Sequence, residues 1–321
     1  MIDKNEVLKL FPAPKFRKYQ RNTIVRMVDA FNSGVKVVML DAPTGFGKSI
    51  VNTTLGYAMA PSFYVTPQLS LIDQLRRDKY VGKYLTEVKG RQNYKCVYDP
   101  YATCDVGVCH RTKDFKCDKI NVCPYWKAKV NALNSKVALM SFAYFMLEHY
   151  SETPYSFGKR RMLILDESHS LDMYVLNYIN IIISPWSMPA DVYMSISRRI
   201  RDFNSIYELR AFMAVVLEVT KDKYNVYEQI ISGGGELSTK DVNDMNKASN
   251  IIRNIELFFE SSESVEWVWE VTFTKYKGKQ CKRLVLTPVY ARFFEPDMIW
   301  NRADYFITST MNSNIITFFI P

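Results

Sequence analysis

No apolar stretch in the sequence approaches the ~20 residues a membrane span needs. The first residues, Met1-Ile2-Asp3-Lys4-Asn5-Glu6, lack the apolar core of a secretory leader. Together these absences point to the cytoplasm, prokaryotic or that of a viral host, where thiols stay reduced, with no membrane partner. There is no internal repeat and no low-complexity tract. Nor is there a Cys-x-x-Cys knuckle of the kind typical zinc ribbons use, although six cysteines are present. Five of them (Cys96, Cys104, Cys109, Cys117 and Cys123) crowd one segment, and in a reducing compartment they are metal ligands before they are disulfides. The sixth, Cys281, stands alone.

The 321 residues suffice for one large domain or two to three smaller ones, and 48% hydrophobic with 23% charged residues is ordinary for a globular chain. A formal charge of +9 favours a polyanionic partner. By itself, charge does not separate nucleic acid from a membrane surface or a solubility device.

From Val35 to Ser49 the pattern is apolar strand, glycine-containing turn and helix start. Short apolar runs follow at Phe63–Val65, Lys136–Met140, Met162–Leu165, Arg283–Leu286 and Tyr305–Ile307. Such runs, separated by helical stretches, predict a parallel α/β sheet. Two regions interrupt it. One is the cysteine segment, residues 89–132. The other, residues 174–276, is mostly helical, with Ile206, Leu209, Met213, Val216 and Leu217 at helical spacing. Gly233-Gly234-Gly235 breaks that region, Ser238 with Asp241 predicts a helix cap, and Val265 to Phe273 alternates as a strand. The expected organisation is α/β: a core in three parts (1–88, 133–173 and 277–321) carrying two insertions.

Asp41-Ala42-Pro43-Thr44-Gly45-Phe46-Gly47-Lys48-Ser49 is the strongest local motif. Backbone amides of Thr44, Gly45, Phe46 and Gly47 converge on phosphates, Lys48 reaches the β- and γ-phosphates, and the Ser49 hydroxyl ligates Mg2+. Ala42 replaces the usual first glycine. Asp166 and Glu167 follow the buried run Met162–Leu165, at the carboxyl end of a strand, where open α/β sheets bind ligands. Asp166 is placed to hold Mg2+, and Glu167 to orient or deprotonate water. His169 either couples nucleotide state to DNA binding or caps a helix. Near the start, Arg17 and Gln20 lead into a helix, and the Gln20 amide can read an adenine edge. Basic residues such as Arg76, Arg77 and Lys89 interleave with Tyr80, Tyr94 and Trp126 around the cysteines. They form either a single-strand path or a solvated basic face with packing aromatics.

Arg17–Gln20, Ala42–Ser49, Thr66-Pro67-Gln68 and Asp166–His169 stand in the order found in superfamily 2 helicases. With cysteines between Thr66-Pro67-Gln68 and Asp166, the chain resembles the iron–sulfur branch, the XPD/DinG-like helicases. Gly90 to Cys96, Cys123 to Trp126 with Ala128, and Thr308-Ser309-Thr310-Met311 carry further likeness. The resemblance implies a RecA-like P-loop domain with an iron–sulfur lobe at 89–132 and a helical Arch-like insertion at 174–276. It implies ATP-driven 5′→3′ movement on single-stranded or forked DNA, with Thr66 and Gln68 on the DNA backbone. It also implies a [4Fe-4S] cluster on Cys96, Cys109, Cys117 and Cys123, with Cys104 as alternate to Cys109; structural zinc is the rival. Ser141-Phe142-Ala143-Tyr144 departs from an Asn-Tyr pair common in relatives. A second RecA-like domain is absent from the sequence, so a second chain would supply it, or the chain is a truncated one. The competing reading is a non-unwinding ATP- and DNA-binding module stabilised by the metal.

Overall fold

The computed structural model describes residues 1–113, 115, 117–119, 121–149, 155–291, 294, 298–310 and 316–319. The chain divides into two units: Met1–Gly90 with Lys119–Tyr174 and Phe294–Pro321, and Arg91–Asp118 with Val175–Phe293. Strands are numbered along the chain.

The first unit is built on β1 (Val37–Asp41), β9 (Ala303–Thr310), β5 (Arg160–Asp166), β2 (Ser62–Thr66), β4 (Val137–Ser141) and β3 (Thr86–Glu87), side by side in that order and all parallel. A further strand, β10 (Ile316–Phe319), closes the β1 edge antiparallel. Every residue of β2 and β4 is buried, as a strand covered on both faces must be. The helix Gln20–Asn32 turns Ile24, Met27, Val28 and Phe31 inward at helical spacing. They join Val51 and Leu55 of the helix Lys48–Ala58 and Val38, Leu40, Tyr64 and Ile164 of the sheet in one apolar cluster. Truncating one such core residue to alanine costs about 2–5 kcal/mol. The fold is the expected α/β class with a RecA-like parallel sheet.

The second unit holds the antiparallel order β6 (Ile181–Ile183), β8 (Lys279–Pro288), β7 (Trp267–Tyr276). The run Arg283–Leu286 is therefore not part of the parallel sheet. A turn at Lys277-Gly278, both with positive φ, folds it back on β7, and hairpin closure decides its partner. Beside the sheet, the helices Ile206–Ser232 and Thr239–Ser261 are separated at Gly233. Ser238 and Asp241 form the expected reciprocal cap.

Between residues 89 and 132 the division falls at Asp118. The helix Pro124–Leu133 belongs to the first unit because Arg160 of β5, buried in the core, donates to the carbonyls of Ala132, Leu133 and Ser135 at 2.9–3.2 Å. No described helix is long and apolar enough to cross a membrane.

Candidate functional site

The order β1-β9-β5 brings the loop after β1 and the carboxylates at the end of β5, Asp166 and Glu167, to one end of the sheet. A cleft of about 260 Å³ opens there, lined by Arg17, Thr44, Gly45, Gly47, Lys48, Ser49, Asp166 and Glu167 among others. Gly45 and Gly47 have φ of +83° and +88°, a region side chains rarely adopt. At Gly47 a Cβ would also lie 2.5 Å from Gln20 Nε2, so a side chain there would displace the Gln20 amide.

Lys48 Nζ donates to the Ala42 carbonyl at 3.0 Å, which holds the ammonium over the loop. Gln20 is fully buried, and its amide is engaged at both ends. Nε2 donates to the Phe46 carbonyl at 2.7 Å, and Oε1 accepts from Arg17 N–H at 2.8 Å. Arg17 in turn donates to the Gly45 carbonyl. Both residues thus brace the loop between Ala42 and Lys48, and the Gln20 amide keeps one N–H and one lone pair for a further partner. A second hollow of about 490 Å³ flanks the loop, lined by Tyr19, Asn22, Thr23, Arg26, Phe46 and neighbours. Tyr19 enters it from a left-handed backbone position, φ 72°.

Two hydroxyls hold Asp166, one of them itself held by an amide. Ser309 Oγ donates to Oδ1 at 2.7 Å and Tyr64 Oη to Oδ2 at 3.3 Å, while Asn52 Nδ2 donates to Ser309 Oγ at 3.2 Å. Sheet register explains the set, since Ser309 lies directly opposite Asp166 and Tyr64 is on the next strand. Burial raises the Asp166 carboxyl above its ordinary value against the opposing effect of these donors and of Lys48. Glu167, at φ 53°, is raised as well, first by burial and then by the Asp166 charge. His169 Nδ1 stands 3.5 Å from Glu167 Oε2, with its ring more than half exposed.

Thr66 ends β2 fully buried, with its hydroxyl donating to the Gln68 carbonyl at 3.1 Å; Gln68 Oε1 accepts from Ser70. Ser141, Phe142 and Tyr144 are buried, and Tyr144 shares a hydrogen bond with Tyr125 at 3.1 Å. Thr308 and Ser309 of the last motif are in β9; Met311 lies outside the described residues.

Cys96 and Cys104 sit on paired arms of a small hairpin, where Cys96 N–H donates to the Ala102 carbonyl and Cys104 N–H to the Tyr94 carbonyl. Gly107 leaves the space that Cys96 Sγ fills. Cys104 Sγ turns to the Lys95 carbonyl at 3.3 Å, Cys109 lies on the short helix Val108–Arg111, and His110 meets the Arg91 guanidinium. Cys117 belongs to the same unit, whereas Cys123 caps Pro124–Leu133 in the other. Among the described residues, no group of three or more His, Cys, Asp or Glu side chains is arranged to hold a metal.

Tyr64, Asn52 and Arg26 adjoin the candidate site from outside every motif. A tyrosine inside a fully buried strand has the pattern of core, and only sheet register reveals its neighbour.

The chain matches the family profile described as type III restriction enzyme, res subunit, over residues 13–186. A solved structure titled XPD helicase matches with a TM-score of 0.53 at 16% identity, covering 94% of this chain and 60% of that one. Another, titled truncated XPD, matches with a TM-score of 0.51 at 16% identity, covering 93% of this chain and 94% of that one. At such identity the likeness is one of fold. This chain spans about 60% of the length of the XPD helicase chain. No curated protein matches significantly.

Proposed function

The chain belongs to the family of type III restriction enzyme res subunits, and we propose that it is the ATP-hydrolysing motor half of a DNA helicase. The observation that carries this reading is the convergence of Lys48, Ser49, Asp166 and Glu167 on one cleft at the carboxyl ends of parallel strands. A desolvated carboxylate, a serine hydroxyl and an ammonium lining one cleft are a donor set that fits a magnesium nucleotide. Mg2+ held by Ser49 and Asp166 would offset the charge of the phosphates.

In this reading Lys48 exchanges the Ala42 carbonyl for the β- and γ-phosphates, and the amides of Thr44 to Gly47 cradle them. Arg17 and Gln20 keep the loop in shape, and the hollow beside Tyr19 and Arg26 receives the base. Glu167 takes a proton from the attacking water, which displaces ADP from the γ-phosphorus and leaves phosphate. His169 relays the state of Glu167 outward, and Thr66 and Gln68 meet the DNA backbone once their local bonds exchange. Movement on single-stranded DNA would be 5′→3′. Arg17 is the arginine lining the cleft, and it is committed to the loop. Rapid turnover therefore calls for arginines from a second RecA-like domain, in this or a partner polypeptide, an effect worth about 10³-fold or more.

Glu167→Gln should retain binding of a fluorescent ATP analogue while phosphate release falls about 10²-fold or more. Lys48→Ala should instead weaken the binding itself. Wild-type turnover by Glu167→Gln would sink the assignment. The finer reading of a [4Fe-4S] cluster on Cys96, Cys117, Cys123 and either Cys109 or Cys104 has residue order as its support. Iron and sulfide analysis after anaerobic purification tests it, and a colourless protein without iron rejects it.

A further inference from the structure

From Val271 to Pro288 the chain has no carboxylate, yet it carries Lys275, Lys277, Lys279, Lys282 and Arg283. All five lie on the β7–β8 hairpin or its turn. Only Leu284–Leu286 of β8 pair with β6, so from Thr272 to Arg283 the hairpin continues as a two-stranded ribbon. Among the described residues no carboxylate forms an ion pair with any of the five.

An isolated two-stranded ribbon is marginal in water. This one is braced. Trp186 Nε1 donates to the Lys275 carbonyl at 3.2 Å, and its ring meets Tyr276 edge-on, centroids 4.9 Å apart. Tyr193 Oη donates to the Lys282 carbonyl at 2.8 Å, and Lys282 Nζ to that of Ile200. Trp186 and Phe273 nevertheless remain 59% and 62% exposed. Alternation along the strands puts Tyr276, Lys279 and Arg283 on one face and Phe273, Lys275 and Lys282 on the other. Each face pairs an aromatic surface with cations.

We propose that this ribbon is a nucleic-acid contact, holding the phosphates of a single strand with its lysines and Arg283 and stacking bases on Phe273 and on the Trp186–Tyr276 pair. Like charges gathered without a counter-charge oppose one another, and a phosphate backbone relieves that repulsion by releasing its counterions. Aromatic faces add stacking that any base can satisfy. A flat anionic membrane engages one face of a ribbon, whereas this one is cationic and aromatic on both.

The test is the anisotropy of a labelled oligothymidylate of about 20 nucleotides bound by the full chain over a range of salt. The triple variant Lys275→Gln, Lys277→Gln, Lys279→Gln should weaken binding about tenfold or more at low salt and lower the slope of log affinity against log salt by about 2. Phe273→Ala should weaken binding severalfold at unchanged slope. All forms should bind the fluorescent ATP analogue alike, so loss of that binding would count against the cleft and leave the ribbon result standing. Wild-type affinity and slope in the triple variant would overturn the assignment. So would a wild-type chain that takes the ATP analogue but not the oligonucleotide, or a loss seen only on anionic phospholipid vesicles.

Discussion

The cleft of the first unit and the ribbon of the second handle charge in opposite ways. In the cleft, charge is buried and shared. Asp166 accepts from Tyr64 and Ser309, Lys48 rests on a carbonyl, and the participants come from β2, β5, β9 and the helix after β1. In the ribbon, charge is local, with five cations inside a hairpin of consecutive residues, Lys275, Lys277 and Lys279 exposed and Lys282 and Arg283 half-buried. A buried group costs free energy when its partner is lost, whereas an exposed one is screened by salt. The cleft should therefore respond to mutation through structure, metal and protons, and the ribbon through ionic strength.

The sharpest contrast sets two cations against each other. Arg160 is 4% exposed and donates to the carbonyls of Ser62, Ala132, Leu133 and Ser135, while burial lowers its pKa to about 10. Arg160→Met relieves the desolvation of the charge but leaves those carbonyls without their donor. The lost bonds win, and denaturant unfolding should show a net loss of about 2–4 kcal/mol. Lys277→Met on the ribbon should change stability by less than about 0.5 kcal/mol. Equal effects at both sites would break the comparison.

A smaller effect is expected at Tyr64. It is fully buried, it donates to Asp166 Oδ2, and burial with the Asp166 charge holds its hydroxyl protonated far above the ordinary range. Phenylalanine fills the same volume, so Tyr64→Phe should unfold within about 1 kcal/mol of wild type. One donor to the carboxylate is lost, and with it the preferred orientation of Asp166. Mn2+ bound with nucleotide, followed by electron paramagnetic resonance, should bind about 3–10-fold more weakly, the span of one ordinary hydrogen bond, in keeping with its 3.3 Å length. Unchanged Mn2+ affinity would reduce Tyr64 to packing.

Legibility in the sequence follows the same division between local and distant. The phosphate loop, the carboxylates after Met162–Leu165 and the Ser238 cap are decided within a few consecutive residues, and all three are where their motifs place them. Arg283–Leu286 shows the limit. An apolar run says that a strand is buried, but the turn at Lys277-Gly278 decides which sheet receives it. Gln20 shows another limit. Its position marks it for the nucleotide site, but the bonds to Arg17 and Phe46 that hold the loop follow only from the folded backbone. Ser309 beside Asp166 depends on parallel register between strands more than a hundred residues apart, and no local pattern encodes that.

The smallest expected effect lies in the protons of the cleft. Glu167 is raised from its ordinary 4.5 by burial and by the neighbouring Asp166 charge, and Lys48 and His169 oppose the rise. For a carboxyl the sign is direct, because a raised value means that the protonated form persists to higher pH. Glu167 can accept a proton from water only when ionised, so the acid limb of phosphate release should lie above 4.5. Lys48→Met removes a cation that favours the ionised form, so the limb of the residual activity should move further up. His169→Ala should move it the same way by less, because that ring is more than half exposed and solvent screens its charge. Single-turnover phosphate release against pH in the three proteins measures both displacements. A limb that stays put when Lys48 is removed would mean that Glu167 does not set it. The ribbon variants should leave the limb where it is, which separates the two regions by protons as the salt slope separates them by counterions.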